Sequence, residues 1–140
     1  MRFVDGGRGD YREIEKLYGK LYPRSSKSKS PKFNGIRLSS RVLLAKEKNN
    51  TVGFIIATFI SYAASRFGYI EDLLVDESFR HRGIGTQLVK KALEWEKSKG
   101  AKVVFVTTDR AFGFYKKLGF SRPKKNEWLM WMPEREKRNR

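Results

Sequence analysis

The stretch from Arg80 to Leu93, RHRGIGTQLVKKAL, decides how the rest of the sequence is interpreted. Two arginines and two glycines precede apolar residues that recur on one face of a helix: Ile84, Leu88, Val89, Ala92 and Leu93. A glycine-rich turn that leads into a helix exposes backbone N–H groups and the positive end of the helix dipole. The stretch therefore predicts a binding site for an anion at the start of a helix.

Two common nucleotide-binding motifs are absent: the P-loop and the dinucleotide-binding fingerprint. A P-loop needs Gly-Lys followed by Ser or Thr, whereas Gly19-Lys20 is followed by Leu21. A dinucleotide fingerprint needs a glycine where Leu88 stands. The sequence therefore does not support a nucleotide held through either motif.

The residues before this stretch predict one helix, one hairpin and one further strand. Asp10, as an N-cap with Glu13 three residues later, predicts a helix that ends before Pro23. Two apolar runs around Asn49 and Asn50 predict a hairpin within residues 41–62. The run GYIEDLLVD, residues 68–76, predicts a strand that leads into the glycine-rich turn.

The residues after the stretch alternate between strand and helix signals. The helix is expected to end at Gly100, and the apolar run in residues 101–108 predicts a strand buried on both faces. Residues 110–120 predict a short helix closed by Gly119, and residues 127–132 a last strand. This order of elements around one core predicts a mixed α/β (α+β) sheet.

Length and composition limit the class of protein. We predict one domain over residues 1–140, with a mobile basic loop at 24–35 and a solvated charged tail at 133–140. No cysteine and a single histidine exclude a thiolate nucleophile and predict no metal site. No apolar run of about 18 residues is present, so we expect a cytoplasmic protein without a membrane span.

Two motifs resemble one known family. The run from Arg80 to Gly85 matches the Arg/Gln-x-x-Gly-x-Gly/Ala motif of the GNAT superfamily of N-acetyltransferases, and FYKKLGF, residues 114–120, is similar to its FYxKxGF segment. The resemblance extends from about Val42 to Trp131. It implies a mixed central sheet of about six to seven strands flanked by about four helices, and acetyl-CoA as the cosubstrate.

The resemblance also implies which residues hold acetyl-CoA. Backbone amides of the loop would bind its pyrophosphate, and the end of the preceding strand would pair with its pantetheine arm. Thr108 stands where the family often has asparagine and would bond that arm more weakly. The implied cofactor-binding residues are Leu73, Leu74, Val75, Arg80, His81, Arg82, Gly83, Ile84, Gly85, Thr86 and Thr108.

Acetyl transfer to an amine needs a neutral nucleophile, a polarised carbonyl and a proton for the leaving thiolate. By resemblance, Glu71 is the expected base, with Asp72 or water as the alternatives, and Tyr115 is the expected proton donor. Because side chains alternate along a strand, the two acids are expected on opposite faces. The carbonyl would be polarised by a backbone N–H near Leu74, where the family commonly has a bulge.

The charge leaves a second function open. Thirty-one Lys and Arg against fifteen Asp and Glu give a net charge of +16, and residues 16–46 hold nine basic residues and no acidic one. Such a surface attracts RNA, ribosomes or acidic proteins, so the alternative is a nucleic-acid- or ribosome-associated binding protein on the same fold. A protein amine or an anionic amino compound fits as acceptor better than a polyamine. The sequence leaves open whether the chain is a monomer or a homodimer.

Overall fold

The structure is a computed structural model that describes residues 1–2, 4–21 and 32–124. The described part of the chain divides between two compact units, residues 1–107 and residues 108–124. Its helices are α1 (Tyr11–Leu21), α2 (Ile84–Lys99) and α3 (Phe112–Lys117), with 3-10 turns at Arg8–Asp10 and Glu77–Phe79. Its strands are β1 (Arg37–Glu47), β2 (Asn50–Tyr62), β3 (Ser65–Val75) and β4 (Val103–Val106).

The four strands form one sheet in the order β1-β2-β3-β4. The first three are antiparallel, and β4 runs parallel to β3 after the α2 crossover. The predicted hairpin and the predicted mixed α/β class are therefore confirmed. The described residues form fewer strands and helices than the resemblance implied, and the predicted strand at 127–132 and tail at 133–140 lie outside them, as does most of the loop at 24–35.

The first helix begins differently from the prediction. The Asp10 carboxylate accepts a hydrogen bond from the backbone N–H of Gly7 at 2.8 Å. Gly7 therefore caps a 3-10 turn that runs directly into α1. The prediction of Asp10 as N-cap was wrong because its side chain bonds to the preceding residues, while Glu13 pairs with Lys16.

The core of the first unit lies between α2 and one face of the sheet. Alternate residues of β2 and β3 face the helix, and a Cβ added at Gly53 would lie 3.4 Å from the Leu88 side chain. Full burial of a Val, Leu, Ile or Phe side chain stabilises the folded chain by about 1.5–3 kcal/mol. The buried apolar residues of this unit are Val52, Ile55, Ala57, Phe59, Ile70, Leu88, Val89 and Ala92. The helix ends at Gly100 in the left-handed conformation (φ 90°), as predicted.

Strand β4 is less buried than its apolar sequence predicted. Val103 is 45% exposed, and the other three residues are half-buried. One face of the strand is covered by rings, with Phe105 5.7 Å from Tyr69 and 6.1 Å from Phe67. Within the described residues β4 is an edge strand, and none of its four residues is fully buried. The prediction of burial on both faces was therefore wrong for this part of the chain. No helix of the described residues is long and apolar enough to cross a membrane.

The core also contains one carboxyl group. Glu96 of α2 is fully buried, and neither oxygen has a hydrogen-bond partner among the described residues. A Cβ at Gly68 would collide with this carboxyl group, so β3 carries glycine where the helix brings an acid against it. Burial raises the pKa of Glu96 from an ordinary value of 4.5 to about 7.

This burial predicts a pH-dependent stability. The folded chain binds the Glu96 proton more tightly than the unfolded chain, so the stabilising contribution is complete below pH 4.5 and is lost as pH rises through about 7. A shift of this size corresponds to about 3 kcal/mol. Between about pH 5 and about pH 8, the free energy of unfolding should therefore fall more in the unsubstituted chain than in Glu96→Gln.

Urea titrations at both pH values measure this difference. Glu94→Gln is the matched control because Glu94 lies on the same helix and is exposed. It should retain the pH dependence of the unsubstituted chain. Equal pH dependence in the Glu96→Gln variant and the unsubstituted chain would show that Glu96 does not titrate in this range.

Candidate active site

The end of β3 has one free edge in the described part of the chain. Strand β4 pairs with β3 only over Phe67–Ile70. From Leu73 to Val75, β3 pairs with β2 alone, and Leu74 is 57% exposed. Free backbone groups at a sheet edge can pair with an additional extended chain. The edge is therefore available to an additional extended chain, as the resemblance implied for a pantetheine arm.

The turn after β3 fixes the two arginines through its own backbone. Arg80 donates a hydrogen bond from Nε to the Val75 carbonyl oxygen at 3.1 Å. Arg82 donates from Nη2 to the Ser78 carbonyl at 3.2 Å, and its guanidinium group lies 4.9 Å from the Phe79 ring centre. Both side chains remain exposed. Each guanidinium group therefore donates one hydrogen bond to the backbone, and its other N–H groups face solvent.

Helix α2 begins without a capping side chain. Gly83 is the N-cap in the left-handed conformation (φ 79°), and no side chain caps the helix. The first helical bond runs from the Gln87 N–H to the Gly83 carbonyl at 3.0 Å. The N–H groups of Ile84, Gly85 and Thr86 therefore have no acceptor within the helix. Exposed donors at the positive end of a helix are a binding site for phosphate.

Glycine is required at position 83 by its backbone conformation rather than by lack of space. A Cβ there would meet nothing within 4 Å, but φ of 79° costs an L-residue about 1–2 kcal/mol. His81 adopts a similar conformation, with φ 63°, and is exposed. Because His81 and Gly83 both have positive φ, the chain changes direction within a few residues and continues directly into α2.

Glu71 occupies a β-bulge. The register of β2 and β3 pairs Ile56 with Asp72 and Ala57 with Ile70, which leaves Glu71 without a partner residue. The bulge was expected near Leu74 and lies earlier on the strand. The extra residue interrupts the alternation of side chains.

The bulge brings both predicted acids to one face of the sheet. Asp72 is paired with Ile56, and Glu71 accepts a hydrogen bond from the hydroxyl of Thr58, on the same face of β2, at 3.0 Å. The expectation that the two acids lie on opposite faces was therefore wrong. Thr58 was not identified from the sequence, although it is a single hydroxyl in the apolar run of β2.

Tyr69 lies on the same face as Glu71. Burial and, to a smaller extent, the negative charge of Glu71 raise the pKa of Tyr69 above its usual value. Its ring packs on Phe105 of β4 at a centroid distance of 5.7 Å. This face therefore combines a carboxylate, a neutral phenol and an aromatic surface, which suits an amine that loses a proton.

Two predicted residues belong to the second unit. The Thr108 hydroxyl oxygen accepts a hydrogen bond from the Ala111 N–H at 2.9 Å, at the turn into α3. Tyr115 is 7% exposed, and its ring lies 5.0 Å from Phe114 and 5.4 Å from Phe120. Burial raises the pKa of Tyr115, so its phenol stays protonated at neutral pH.

The first unit thus brings most of the predicted site residues into one continuous stretch. They occupy the end of β3, the turn and the start of α2: Glu71, Leu73, Leu74, Val75, Arg80, His81, Arg82, Gly83, Ile84, Gly85 and Thr86. Thr108 and Tyr115 are ordered by local contacts within the second unit. The described residues contain no group of three or more potential metal ligands.

Comparison with known proteins determines the family. Residues 11–120 match the acetyltransferase (GNAT) family, which is most of the chain. The chain belongs to the GNAT family. The resemblance inferred from the loop at Arg80–Gly85 and from the motif in residues 114–120 is therefore confirmed. Acetyl-CoA is the acetyl donor of GNAT acetyltransferases.

Individual relatives match over part of the GNAT domain. The chain is 43% identical over 54 residues to glucosamine 6-phosphate N-acetyltransferase of Trypanosoma brucei brucei, covering 38% of this chain and 37% of that protein. It is 41% identical over 64 residues to N-alpha-acetyltransferase 30 of Xenopus laevis, covering 43% of this chain and 23% of that protein. The chain thus spans less than two fifths of the length of either relative.

Solved structures share the fold. A predicted acetyltransferase from Clostridium acetobutylicum, solved with acetyl-CoA, superposes with a TM-score of 0.59 at 21% identity. The match covers 66% of this chain and 64% of that one. At this level of identity, the similarity shows the GNAT fold and nothing further.

The residues of this chain fit the phosphate groups of acetyl-CoA. The uncapped start of α2 offers the N–H groups of Ile84, Gly85 and Thr86, and the residue before them, Gly83, has no side chain. Arg80 and Arg82 add positive charge on the same turn. The free edge at Leu73–Val75 leads directly to these donors.

Proposed function

We propose that this GNAT chain transfers an acetyl group directly from acetyl-CoA to a primary amine of a protein or peptide. The observation that carries the proposal is the uncapped, glycine-started helix α2 at the end of a strand with one free edge. N–H groups that can bind an anion and a strand edge that can pair with an extended ligand are therefore adjacent in the chain. Direct transfer is favoured because the sequence has no cysteine to carry the acetyl group.

In this proposal, acetyl-CoA supplies the acetyl group as a reactive thioester. The amides of residues 81–86 bind its pyrophosphate, assisted by Arg80 and Arg82. The edge at Leu73–Val75 aligns the arm, and Thr108 uses its hydroxyl proton as a donor while its oxygen remains bonded to Ala111. Binding energy from these remote contacts positions the reacting groups.

Glu71 is proposed to accept the proton of the incoming amine, directly or through water. A lysine amine has a pKa of about 10.4 and an α-amino group about 7.7–8.0, so a base is needed most for lysine. The Thr58 hydroxyl fixes one carboxylate oxygen at 3.0 Å and leaves the other free to accept. Asp72 lies on the same face and is the alternative base.

Tyr115 is proposed to donate a proton to the departing thiolate. Its burial keeps the phenol protonated before the reaction. The phenol O–H bond breaks as the S–H bond of coenzyme A forms on the departing thiolate, and the resulting phenolate, the stronger base, is reprotonated from water. The rings of Phe114 and Phe120 fix the orientation of the tyrosine side chain. A rigid donor loses little entropy when the reaction begins.

Two acceptor classes have support from the relatives. The match to N-alpha-acetyltransferase 30 favours a peptide α-amine. The match to glucosamine 6-phosphate N-acetyltransferase, together with the net charge of +16, favours an anionic amino compound as the second candidate. We favour the peptide α-amine, which needs less help from a base than a lysine amine does.

A panel of acceptors tests the proposal. Purified protein is incubated with acetyl-CoA and an N-terminal peptide amine, a lysine peptide, glucosamine 6-phosphate or a polyamine, and the products are identified by mass spectrometry. We expect the peptide α-amine to be acetylated fastest and the polyamine slowest. Faster acetylation of glucosamine 6-phosphate would replace the peptide proposal, and no acetylated product with any acceptor would contradict the transferase proposal.

The variant Glu71→Gln tests the base. Its acetylation rate should fall about 10²- to 10⁴-fold at low pH, where the acceptor amine is protonated, and recover as pH approaches the pKa of that amine. Asp72→Asn, which removes the neighbouring carboxylate on the same face, is the matched control and should change the profile little. An unchanged pH–rate profile in Glu71→Gln would assign the proton transfer to another group.

A further inference from the structure

A pocket lies at the opposite end of the sheet from the start of α2. It has a volume of about 150 Å³ and is formed where β1 begins, β2 ends and β3 begins. Arg66 lines it near the beginning of β3, whereas Val75 ends that strand. At about 3.3 Å per residue, roughly 30 Å of strand separates the pocket from the cofactor loop.

Three cationic side chains line this pocket without a counter-charge. Lys32, Arg37 and Arg66 contribute to its wall, and among the residues that the structure describes no acidic side chain does. None of the three forms an ion pair with a described carboxylate. Like charges brought together in this way repel one another unless an anion binds between them.

The segment that supplies part of the wall is held in place by α1. The ring of Phe33 lies 5.0 Å from Tyr11 and 6.4 Å from Tyr18. The Phe33 N–H donates a hydrogen bond to a carboxylate oxygen of Glu15 at 2.7 Å. These contacts fix the backbone beside Lys32, so the pocket is built by packing and does not depend on long side chains alone.

Gly35 completes this attachment. It adopts the left-handed conformation with φ 86°, and a Cβ there would lie 2.6 Å from the Tyr11 hydroxyl oxygen. Glycine is therefore required for both the conformation and the close approach. The turn directs Asn34 and Arg37 to the same pocket, which Ser61 of β2 also lines.

We propose that this pocket binds the phosphate group of a small phosphate monoester. A phosphate monoester carries about −1.5 to −2 charges near neutral pH and has three terminal oxygens. Three cations are enough to neutralise that charge, and together with the neutral donors of Asn34 and Ser61 they can be shared among the three oxygens, each of which accepts more than one hydrogen bond. A carboxylate would leave most of these donors unused.

The size of the pocket also favours a single phosphate group. Its volume of about 150 Å³ is enough for the phosphate and the first atoms of its carrier. A nucleic-acid backbone presents a row of phosphates and requires an extended basic surface. The proposed site is separate from the cofactor loop and does not depend on the proposed acetyl transfer.

Amide resonances of isotope-labelled protein can locate the site. The protein is titrated with inorganic phosphate, glycerol phosphate, acetate or a short RNA, with chloride keeping the ionic strength constant. We expect both phosphates to shift the amides of Asn34, Gly35, Ser61 and Ala63, with glycerol phosphate binding at least as tightly as inorganic phosphate. Acetate should bind at least about tenfold more weakly, since it engages fewer charged donors.

Two arginine variants and one control test the assignment. Arg37→Gln and Arg66→Gln should each weaken phosphate binding about tenfold, because each removes a charge-assisted donor. Arg41→Gln is the matched control because Arg41 is an exposed cation of β1 that does not line the pocket. It should change the affinity by less than about twofold.

Four results would overturn the proposal. Phosphate could shift only the amides of the cofactor loop, acetate could bind as tightly as phosphate, or Arg41→Gln could weaken binding as much as the pocket variants. RNA that shifts the pocket amides at lower concentration than glycerol phosphate would identify a nucleic-acid surface instead. Each readout is a binding measurement, so none depends on whether the chain transfers acetyl groups.

Discussion

Replacement of Gly83 by valine is expected to weaken acetyl-CoA binding at least about 100-fold while the chain remains folded. The substitution places a branched side chain at the start of α2, beside the N–H groups that are proposed to bind the pyrophosphate. It also forces an L-residue into a backbone conformation with φ 79°. Two charge-assisted hydrogen bonds lost at about 1.5–3 kcal/mol each account for the predicted size.

Calorimetric titration with acetyl-CoA measures this loss, and circular dichroism checks the fold. Gly100→Val is the matched control, since Gly100 has a similar left-handed conformation (φ 90°) at the other end of the same helix. Its Cβ would also lie 3.2 Å from the Arg66 side chain, so Gly100→Val should cost at least as much stability, without the loss of affinity. If Gly83→Val is folded and binds acetyl-CoA as the unsubstituted chain does, the phosphates bind elsewhere.

Replacement of Tyr115 by phenylalanine is expected to reduce kcat about 100-fold, the low end of general acid catalysis. The variant keeps the ring and its packing against Phe114 and Phe120 but removes the proton donor. A thiolate is a tolerable leaving group, which is why the low end is expected. The affinity for acetyl-CoA should change little, because the hydroxyl is not among the proposed phosphate ligands.

Rapid-quench measurement of a single turnover isolates the chemical step from product release. Tyr62→Phe is the matched control, because it removes a phenol hydroxyl from β2, outside the proposed active site. The control should keep the rate of the unsubstituted chain. A Tyr115→Phe variant with an unchanged single-turnover rate would show that this tyrosine is structural and that another group protonates the thiolate.

The parts of the site that follow from local sequence could be predicted. The glycine before Ile84, the apolar spacing of α2 and the stop at Gly100 are all properties of neighbouring residues, and the structure confirmed them. The hairpin was also predicted, although its turn is Lys48–Asn49 and Asn50 already belongs to β2. Positions such as these depend on backbone conformation and helical spacing, which a sequence displays directly.

The parts that depend on pairing between distant residues could not be predicted. The bulge at Glu71 arises from the register between β2 and β3, and it changed the face of one predicted acid. The hydrogen bond from Thr58 depends on the same register. Sequence alternation assumes a regular strand and therefore fails where one extra residue is inserted.

The buried carboxyl group of Glu96 was not identified from the sequence. Its spacing of four residues from Ala92 and seven from Val89 places it on the apolar face of α2, but an acidic residue there gives no sign of what covers it. Only the approach of α2 to Gly68 shows that this carboxyl group is enclosed and that glycine at that position makes room for it. This contact joins α2 and β3, and neither element has an unusual sequence by itself.

The most direct test of the central claim is the response of the α2 amides to acetyl-CoA. In an amide-resonance titration of the unsubstituted chain, the N–H groups of Ile84, Gly85 and Thr86 should show the largest shifts and saturate together. The amides of Asn34 and Gly35, at the far end of the sheet, should move much less at the same concentrations. Saturable binding that leaves the three α2 amides unchanged would contradict the assignment of this helix start as the acetyl-CoA site.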